Sequence, residues 1–181
     1  MTLNVIPRPN KVNYYGGVLE TKEFGIVYLN DDKLSDEAYT ITIQHSTVTV
    51  THNGEKGRYY ADITLKKILA QEEIPLCRIE DEPAYPYRGF MIDSARHMQS
   101  IEELKKYISA AAEFKFNVFH WHLSEDQGFR AQILDKLLLT EIGSYRSHTN
   151  FNTRKHEGYY NVDDMKEIVE YAHNLCIKVI P

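Results

Sequence analysis

The chain has 181 residues, 43% hydrophobic and 26% charged, with 9 Gly and 6 Pro. That composition excludes a disordered or fibrous chain, and the length suits one well-cored domain or two small ones but not the roughly 250 residues of a closed (β/α)8 barrel. Lys and Arg number 21 against 26 Asp and Glu, a net charge of −5 without any long basic cluster, so nucleic acid is not an expected partner.

No run approaches the ~18 apolar residues of a membrane helix, and residues 1–10 have neither the charged nor the apolar region of an export signal. The expectation is therefore no membrane span and, for the chain as given, a cytoplasmic location, although a trimmed N terminus is compatible with export. Cys77 and Cys176 lie far apart with no ligand spacing, which points to two buried small apolar residues and not to a disulfide framework or a structural zinc site.

The first eighty or so residues read as strands with one helix. Residues 40–50 alternate β-branched and polar positions, with Ile41, Ile43, Val48 and Val50 interrupted around 44–47, the pattern of a hairpin. Asn53-Gly54 marks a turn. From Tyr59 to Ala70 the spacing becomes helical, with Ala61, Thr64, Leu65, Ile68 and Leu69 on one face and Asp62, Lys66 and Lys67 on the other. Residues 79–86, IEDEPAYP, read as a linker.

Beyond the linker the pattern changes. Residues 88–93 predict a strand, and 100–113 a helix opened by a capping box of Ser100 and Glu103, with Ile101, Leu104, Ile108 and Ala111 on one side. Residues 117–123 predict a second strand. After a long irregular stretch with Gly143 and Gly158, residues 163–174 predict a helix with Met165, Ile168, Val169 and Ala172 on one stripe, and 177–180 a third strand. This order is that of parallel βαβ units, about three strands at roughly thirty residues per step. Three open parallel strands have unpaired edges and an uncovered face, so self-association through open barrel edges is expected.

Two polar clusters follow the strands. In FHWHLSEDQGFR, residues 119–130, His120 and His122 share one strand face, while Phe119, Trp121 and Leu123 share the other. In a barrel, Glu125, Asp126, Gln127 and Arg130 would then surround the mouth at the strand's C-terminal end. The His-x-His pair is open to three readings: two ligands of a zinc hydrolase that lacks a convincing third, hydrogen-bonded interior histidines, or polar lining of a substrate site. Glu125 and Asp126 are either a tuned carboxylate pair or two solvated acids. In YRGFMIDSARHM, residues 87–98, Arg88, Asp93, Arg96 and His97 gather at the end of the first strand, where Arg96 suits hydroxyls or a carboxylate and an internal Asp93–Arg salt bridge is the plainer alternative.

At these clusters the sequence resembles glycoside hydrolase family 20, the β-N-acetylhexosaminidases. The resemblance rests on YPYRGFMIDSARHM (85–98), FNVFHWHLSEDQGFR (116–130), LTEIGSYR (139–146) and GYYNVDDMKEIVEYAHNLCIKVIP (158–181), in family order. Residues 1–83 are similar to the small α+β domain that precedes the barrel, shortened between Leu29 and Ala38, and 84–181 to the N-terminal part of the catalytic barrel. The resemblance implies an α/β fold: a small α+β leading domain, then the first three βα units of a (β/α)8 TIM barrel, the barrel incomplete in this chain.

It also implies retaining hydrolysis of terminal β-linked N-acetylhexosamine, in which the substrate's own acetamido oxygen attacks the anomeric carbon, an exception to the enzyme-nucleophile scheme. N-acetylhexosamine-containing glycans are the implied partners, and no cofactor or metal is expected. Arg96, Glu125, His122 and Asp126 are the implied substrate-binding residues, with Arg96 on hydroxyls of the nonreducing sugar and Glu125 supporting the catalytic acid. Glu125 stands where many members have Asp, and Phe129 where Trp is common. The family's catalytic Asp-Glu pair is expected beyond Pro181, so no catalytic residue is assigned here and the chain alone is expected to be inactive. Alternatives are a non-catalytic truncated or barrel-complementing protein and, behind it, a zinc hydrolase using His120 and His122.

Overall fold

The computed structural model describes residues 3–20, 23–146 and 157–181 and divides into two compact units, Met1–Pro86 and Tyr87–Pro181.

The first unit is a five-stranded sheet with one helix. Its elements are β1 Lys11–Val18, β2 Gly25–Asn30, β3 Tyr39–Ile43, β4 Thr47–His52, α1 Gly54–Leu69 and β5 Pro75–Asp81, in the order β1-β5-β3-β4-β2. The expected hairpin is β3 and β4, closed by the Ile43↔Val48 pair. Period-two alternation turns Ile41, Ile43, Val48 and Val50 to one face, where they are wholly buried with Cys77, Ile79 and the α1 residues Tyr60, Ala61 and Ile68. β1 and β2 escape sequence patterning because Gly16 and Gly17 interrupt the first at positive φ and every residue of the second is exposed.

α1 begins five residues before its apolar periodicity, since the GEKGR turn carries no apolar side chain. Gly57 sits on its inner face: its N–H donates to the Asp36 carbonyl at 2.9 Å, and a Cβ there would lie 2.6 Å from the Ala38 carbonyl oxygen. Ala ordinarily gains about 1 kcal/mol over Gly inside a helix. We expect Gly57→Ala to lower the thermal unfolding midpoint nonetheless, because a backbone oxygen cannot step aside; a raised midpoint would refute the close approach.

The linker expected over 79–86 starts later than its composition suggests, since Ile79, Glu80 and Asp81 complete β5. Ile79 is fully buried opposite Ile41 and Val12. Glu80 pairs with Lys11 and Arg78 at 3.0 Å each, and Asp81 accepts from the Tyr39 hydroxyl at 2.5 Å. The acids that looked like linker composition are strand-end residues with partners.

The second unit contains β6 Gly89–Asp93, α2 Ile101–Glu113, β7 Val118–His122, the short β8 Ser124–Glu125 and β9 Gly128–Phe129, α3 Leu138–Glu141, α4 Val162–His173 and β10 Lys178–Ile180. β10, β7 and β6 form a parallel sheet in that order. The irregular stretch before α4 contains β8, β9 and α3, and its residues 147–156 lie outside the described residues.

The α2 capping box forms as expected, with the Ser100 hydroxyl accepting from the Glu103 amide at 3.2 Å and the Glu103 carboxylate from the Ser100 amide at 2.8 Å. Leu104, Ile108 and Ala112 of α2 and Ile168 and Ala172 of α4 are buried, and Phe90 stacks on Phe119 at 4.9 Å. Val169, expected on the buried stripe, is 50% exposed. Both helices end on a left-handed residue, Lys115 (φ 60°) and Cys176 (φ 57°). The Phe116 and Ile177 amides reach back to the Ala111 and Ala172 carbonyls, the arrangement usually given to glycine. Cys176 is therefore a half-buried helix stop and not the buried apolar residue expected, whereas Cys77 is buried, which pushes its thiol up to about 11.

Candidate functional site

Parallel strands bring their C-terminal ends to one side, and the Asp93↔His122 register sets those two residues beside each other at the ends of β6 and β7. The loop after β6 is tied to the neighbouring strand by Ser94 and Ala95, whose amides both donate to the His122 carbonyl at 3.0 and 3.1 Å. That turn carries Arg96 over the sheet end. β8 and β9 form a two-residue hairpin with Glu125 opposite Gly128 and Asp126 and Gln127 at its tip, which brings Glu125 to the same place.

Arg96 joins the two strand ends. Its main-chain N–H donates to Asp93 Oδ1 at 3.0 Å, its Nη1 bonds Asp93 Oδ2, and its Nη2 lies 2.9 Å from Glu125 Oε2. The other Glu125 oxygen accepts from the Gln127 amide at 2.7 Å. Glu125 and Asp93 are 12% and 20% exposed, but Arg96 is 49% exposed. Two shielded carboxylates thus fix a guanidinium whose outer edge faces solvent. Such a planar, always-charged donor suits a ligand with several adjacent oxygens.

The salt bridge between Asp93 and Arg96 is present, and Glu125 extends it across strands. His122 places Nδ1 3.2 Å from Asp93 Oδ1 but off the hydrogen-bonding direction, so the contact is electrostatic. Asp126 is exposed at the hairpin tip and acts on Arg96 through space only, the weakest of the charges that raise the guanidinium. The structure thus brings Arg96, Glu125 and His122 together around Asp93, with Asp126 at the rim. His120 lies two register pairs deeper, on the same face as His122 and opposite Met91. Among the described residues, no group of three His, Cys, Asp or Glu could hold a metal ion.

Two sequence placements are corrected. Arg88 is at the N-terminal end of β6, donating to the Lys115 carbonyl at 2.7 Å, far along the strand from Asp93. Arg130 does not line the mouth; it is wholly buried. Its Nε donates to the Ser94 carbonyl (3.2 Å), Nη1 to those of Ser144 (2.6 Å) and Gly158 (2.9 Å), and Nη2 to that of Ala95 (3.1 Å). It clamps the loop that carries Arg96 to two other segments, and burial lowers its pKa from the ordinary arginine value. Gly128 makes room for it, since a Cβ there would lie 2.7 Å from both the guanidinium carbon and the Ala95 carbonyl. Sequence reading also missed a buried network in which Trp121 Nε1 and the Tyr160 hydroxyl donate to the Ser94 hydroxyl, which donates to Gln99. The only available signal was a Ser directly after the strand.

Partial burial pushes the Asp93 carboxyl up, but the Arg96 amide and guanidinium bonds, with the charges of His122 and Arg96, outweigh it and leave the pKa below the ordinary 3.8. A depressed carboxyl stabilises the fold above its unfolded pKa, and that contribution is lost as pH falls through the lower, folded value. We expect the Asp93 carboxyl carbon in an NMR titration to shift upward in pKa in Arg96→Gln. An unchanged pKa would mean that Arg96 does not hold this group.

The description "Glycosyl hydrolase family 20, catalytic domain" matches residues 85–181, and "Glycosyl hydrolase family 20, domain 2" matches residues 18–82. A Beta-hexosaminidase of Porphyromonas gingivalis is 38% identical over 159 residues, covering 82% of this chain and 20% of the relative. One of Akkermansia muciniphila is 32% identical, covering 98% of this chain and 37% of the relative. A solved structure described as a beta-N-acetylhexosaminidase superposes with a TM-score of 0.90 at 31% identity, over 98% of this chain and 39% of that one. The chain therefore spans between a fifth and two fifths of the length of these relatives.

Proposed function

The chain belongs to glycosyl hydrolase family 20, and we propose that it supplies the sugar-anchoring part of a β-N-acetylhexosaminidase that releases terminal N-acetylhexosamine from glycans. In this reading β6, β7 and β10 are the opening strands of a (β/α)8 barrel, and the ends of β6 and β7 are part of its active-site mouth. The observation that carries it is the half-exposed Arg96 guanidinium, held between Asp93 and Glu125.

Each residue has a distinct task. Arg96 donates to hydroxyls of the nonreducing sugar, and Asp93 and Glu125 prevent it from swinging into solvent. Glu125, fixed by the Gln127 amide, keeps a negative charge at the mouth, where it supports an acid that protonates the leaving oxygen. The substrate's acetamido oxygen attacks its own anomeric carbon, so no nucleophile is required from these residues. The acid and the acetamido-orienting carboxylate belong to a part of the family fold that this chain does not span.

The 181 residues are accordingly expected to bind N-acetylglucosamine weakly and not to turn over a chromogenic N-acetylglucosaminide. Saturation-transfer NMR and a hydrolysis assay on the same sample check both. Absence of binding would overturn the anchoring role, and turnover at an ordinary enzyme rate would overturn the division of labour.

A further inference from the structure

The two edges of the five-stranded sheet are built differently. β1 carries Lys11, shifts register against β5 between Tyr14 and Val18, and places Gly16 and Gly17 in the left-handed region. A charge, a bulge and twisted glycines are devices that keep an edge from pairing. β2 has none of them. It holds unbroken register with β4 from Gly25↔Thr47 to Asn30↔His52 and contains no charged residue. Ile26, Val27, Tyr28 and Leu29 are 38–49% exposed.

Its free backbone groups can be identified. The Gly25 amide donates to the Ser46 carbonyl at 3.2 Å and the Asp31 amide to that of His52 at 3.0 Å, so the odd-numbered residues turn their polar groups toward β4. Alternation directs the N–H and C=O of Ile26, Tyr28 and Asn30 outward, where no strand among the described residues lies beside them. The edge is also stiffened: the Tyr28 hydroxyl donates to Asp62 at 2.8 Å, and the Arg58 guanidinium sits 4.6 Å from the Tyr28 ring centroid.

We propose that β2 is a homodimer edge, on which a second copy of this chain adds its own β2 in antiparallel sense about a twofold axis at Tyr28. Of the antiparallel registers, this one alone opposes all three outward residues with outward residues: Tyr28 with Tyr28, Ile26 with Asn30 and Asn30 with Ile26. Each pair then exchanges two backbone hydrogen bonds, and the contact is isologous and closes at two copies. Val27 and Leu29 of both chains meet on one face, and Ile26 and Tyr28 on the other. In sequence register Asp31 and Asp32 oppose Gly25 and Phe24, and Glu23 opposes Lys33, so no carboxylate of the strand or its flanks opposes another; Asp62, bonded to Tyr28, has Arg58 beside it. The opposition of Glu23 to Lys33 at both ends of the twofold is what argues for a second copy.

Light scattering across a concentration series should show a species of twice the 21.1 kDa of one chain. In a Cys176→Ser background, Tyr28→Cys should form a disulfide-linked dimer under mild oxidation, because a hydrogen-bonded antiparallel pair sets Cα atoms about 5.5 Å apart, within disulfide reach. Leu29→Cys, which opposes Val27, should cross-link little. Since Tyr28→Cys loses the bond to Asp62, the double variant Ile26→Cys with Asn30→Cys tests the same register with Tyr28 intact. Ile26→Pro removes one outward donor without touching the β4 ladder and should abolish the dimer; circular dichroism verifies its fold, and if it unfolds the cross-linking pattern decides. A monomer at every concentration overturns the proposal. So does a dimer that survives Ile26→Pro or that cross-links no better at position 28 than at 29, which would place the association on another surface, such as the open edges of β6 and β10.

Discussion

Arg130→Met should lower the stability of the second unit by about 3 kcal/mol or more. The side chain is wholly buried and donates to four backbone carbonyls, those of Ser94, Ala95, Ser144 and Gly158. Methionine fills much of the volume but offers no donor. An orphaned buried polar group costs about 1–3 kcal/mol, and four of them near the lower figure, less what entering water recovers, give that total. Arg130→Lys should recover only part, because a single ammonium point cannot reach carbonyls on three segments as a planar fork does. The lone Trp of the chain, Trp121, packs on Tyr160 at 4.6 Å beside the clamp, so a urea transition followed by its fluorescence reports the effect. A change below about 1 kcal/mol would mean that water replaces the guanidinium readily and that the clamp is not structural.

Arg130 also shows where sequence reading fails. Glu125, Asp126, Gln127 and Arg130 stand within six positions of one another in a polar segment, and nothing in their order separates those that face the mouth from the one that turns inward. Burial of an arginine without a carboxylate is unusual, and it depends on carbonyls from three segments distant in sequence. The contact between Arg96 and Glu125 is likewise non-local. It became legible only to the extent that two βα units were recognised, since parallel strands must then place both loops at one end.

Local signals fared better where one face of an element is buried. The Ser100–Glu103 box, the hairpin before α1 and the opposite faces of His120 and Trp121 each follow from a short pattern in which neighbouring residues have contrasting surroundings. β2 gave no such contrast because both its faces are wet, and the end of β5 reads as linker because Glu80 and Asp81 meet Lys11 and Tyr39, which lie far away in the chain, only once the sheet is formed. Pattern reports burial, and partners across the sheet are invisible to it.

Arg96→Ala should act in the opposite way to Arg130→Met, largely sparing the fold and weakening recognition. Its guanidinium is half exposed, but its partners Asp93 and Glu125 are shielded, so stability should fall by no more than about a third of the loss expected for Arg130→Met. Binding of N-acetylglucosamine should weaken by about 10- to 100-fold, the size expected when a charge-assisted hydrogen bond to a ligand is lost. The loss has a second cause. Without the guanidinium, Asp93 and Glu125 lose the cation that joins them, and the electron-rich hydroxyl oxygens of a sugar meet acceptors in place of donors. Arg96→Lys keeps the charge but cannot engage Asp93 and Glu125 at once, so it should bind between the two. Titration of the sugar against the three proteins, read by NMR, orders them. Equal affinity for wild type and Arg96→Ala, with the fold intact in both, would remove Arg96 from the sugar site and with it the role assigned to the strand ends.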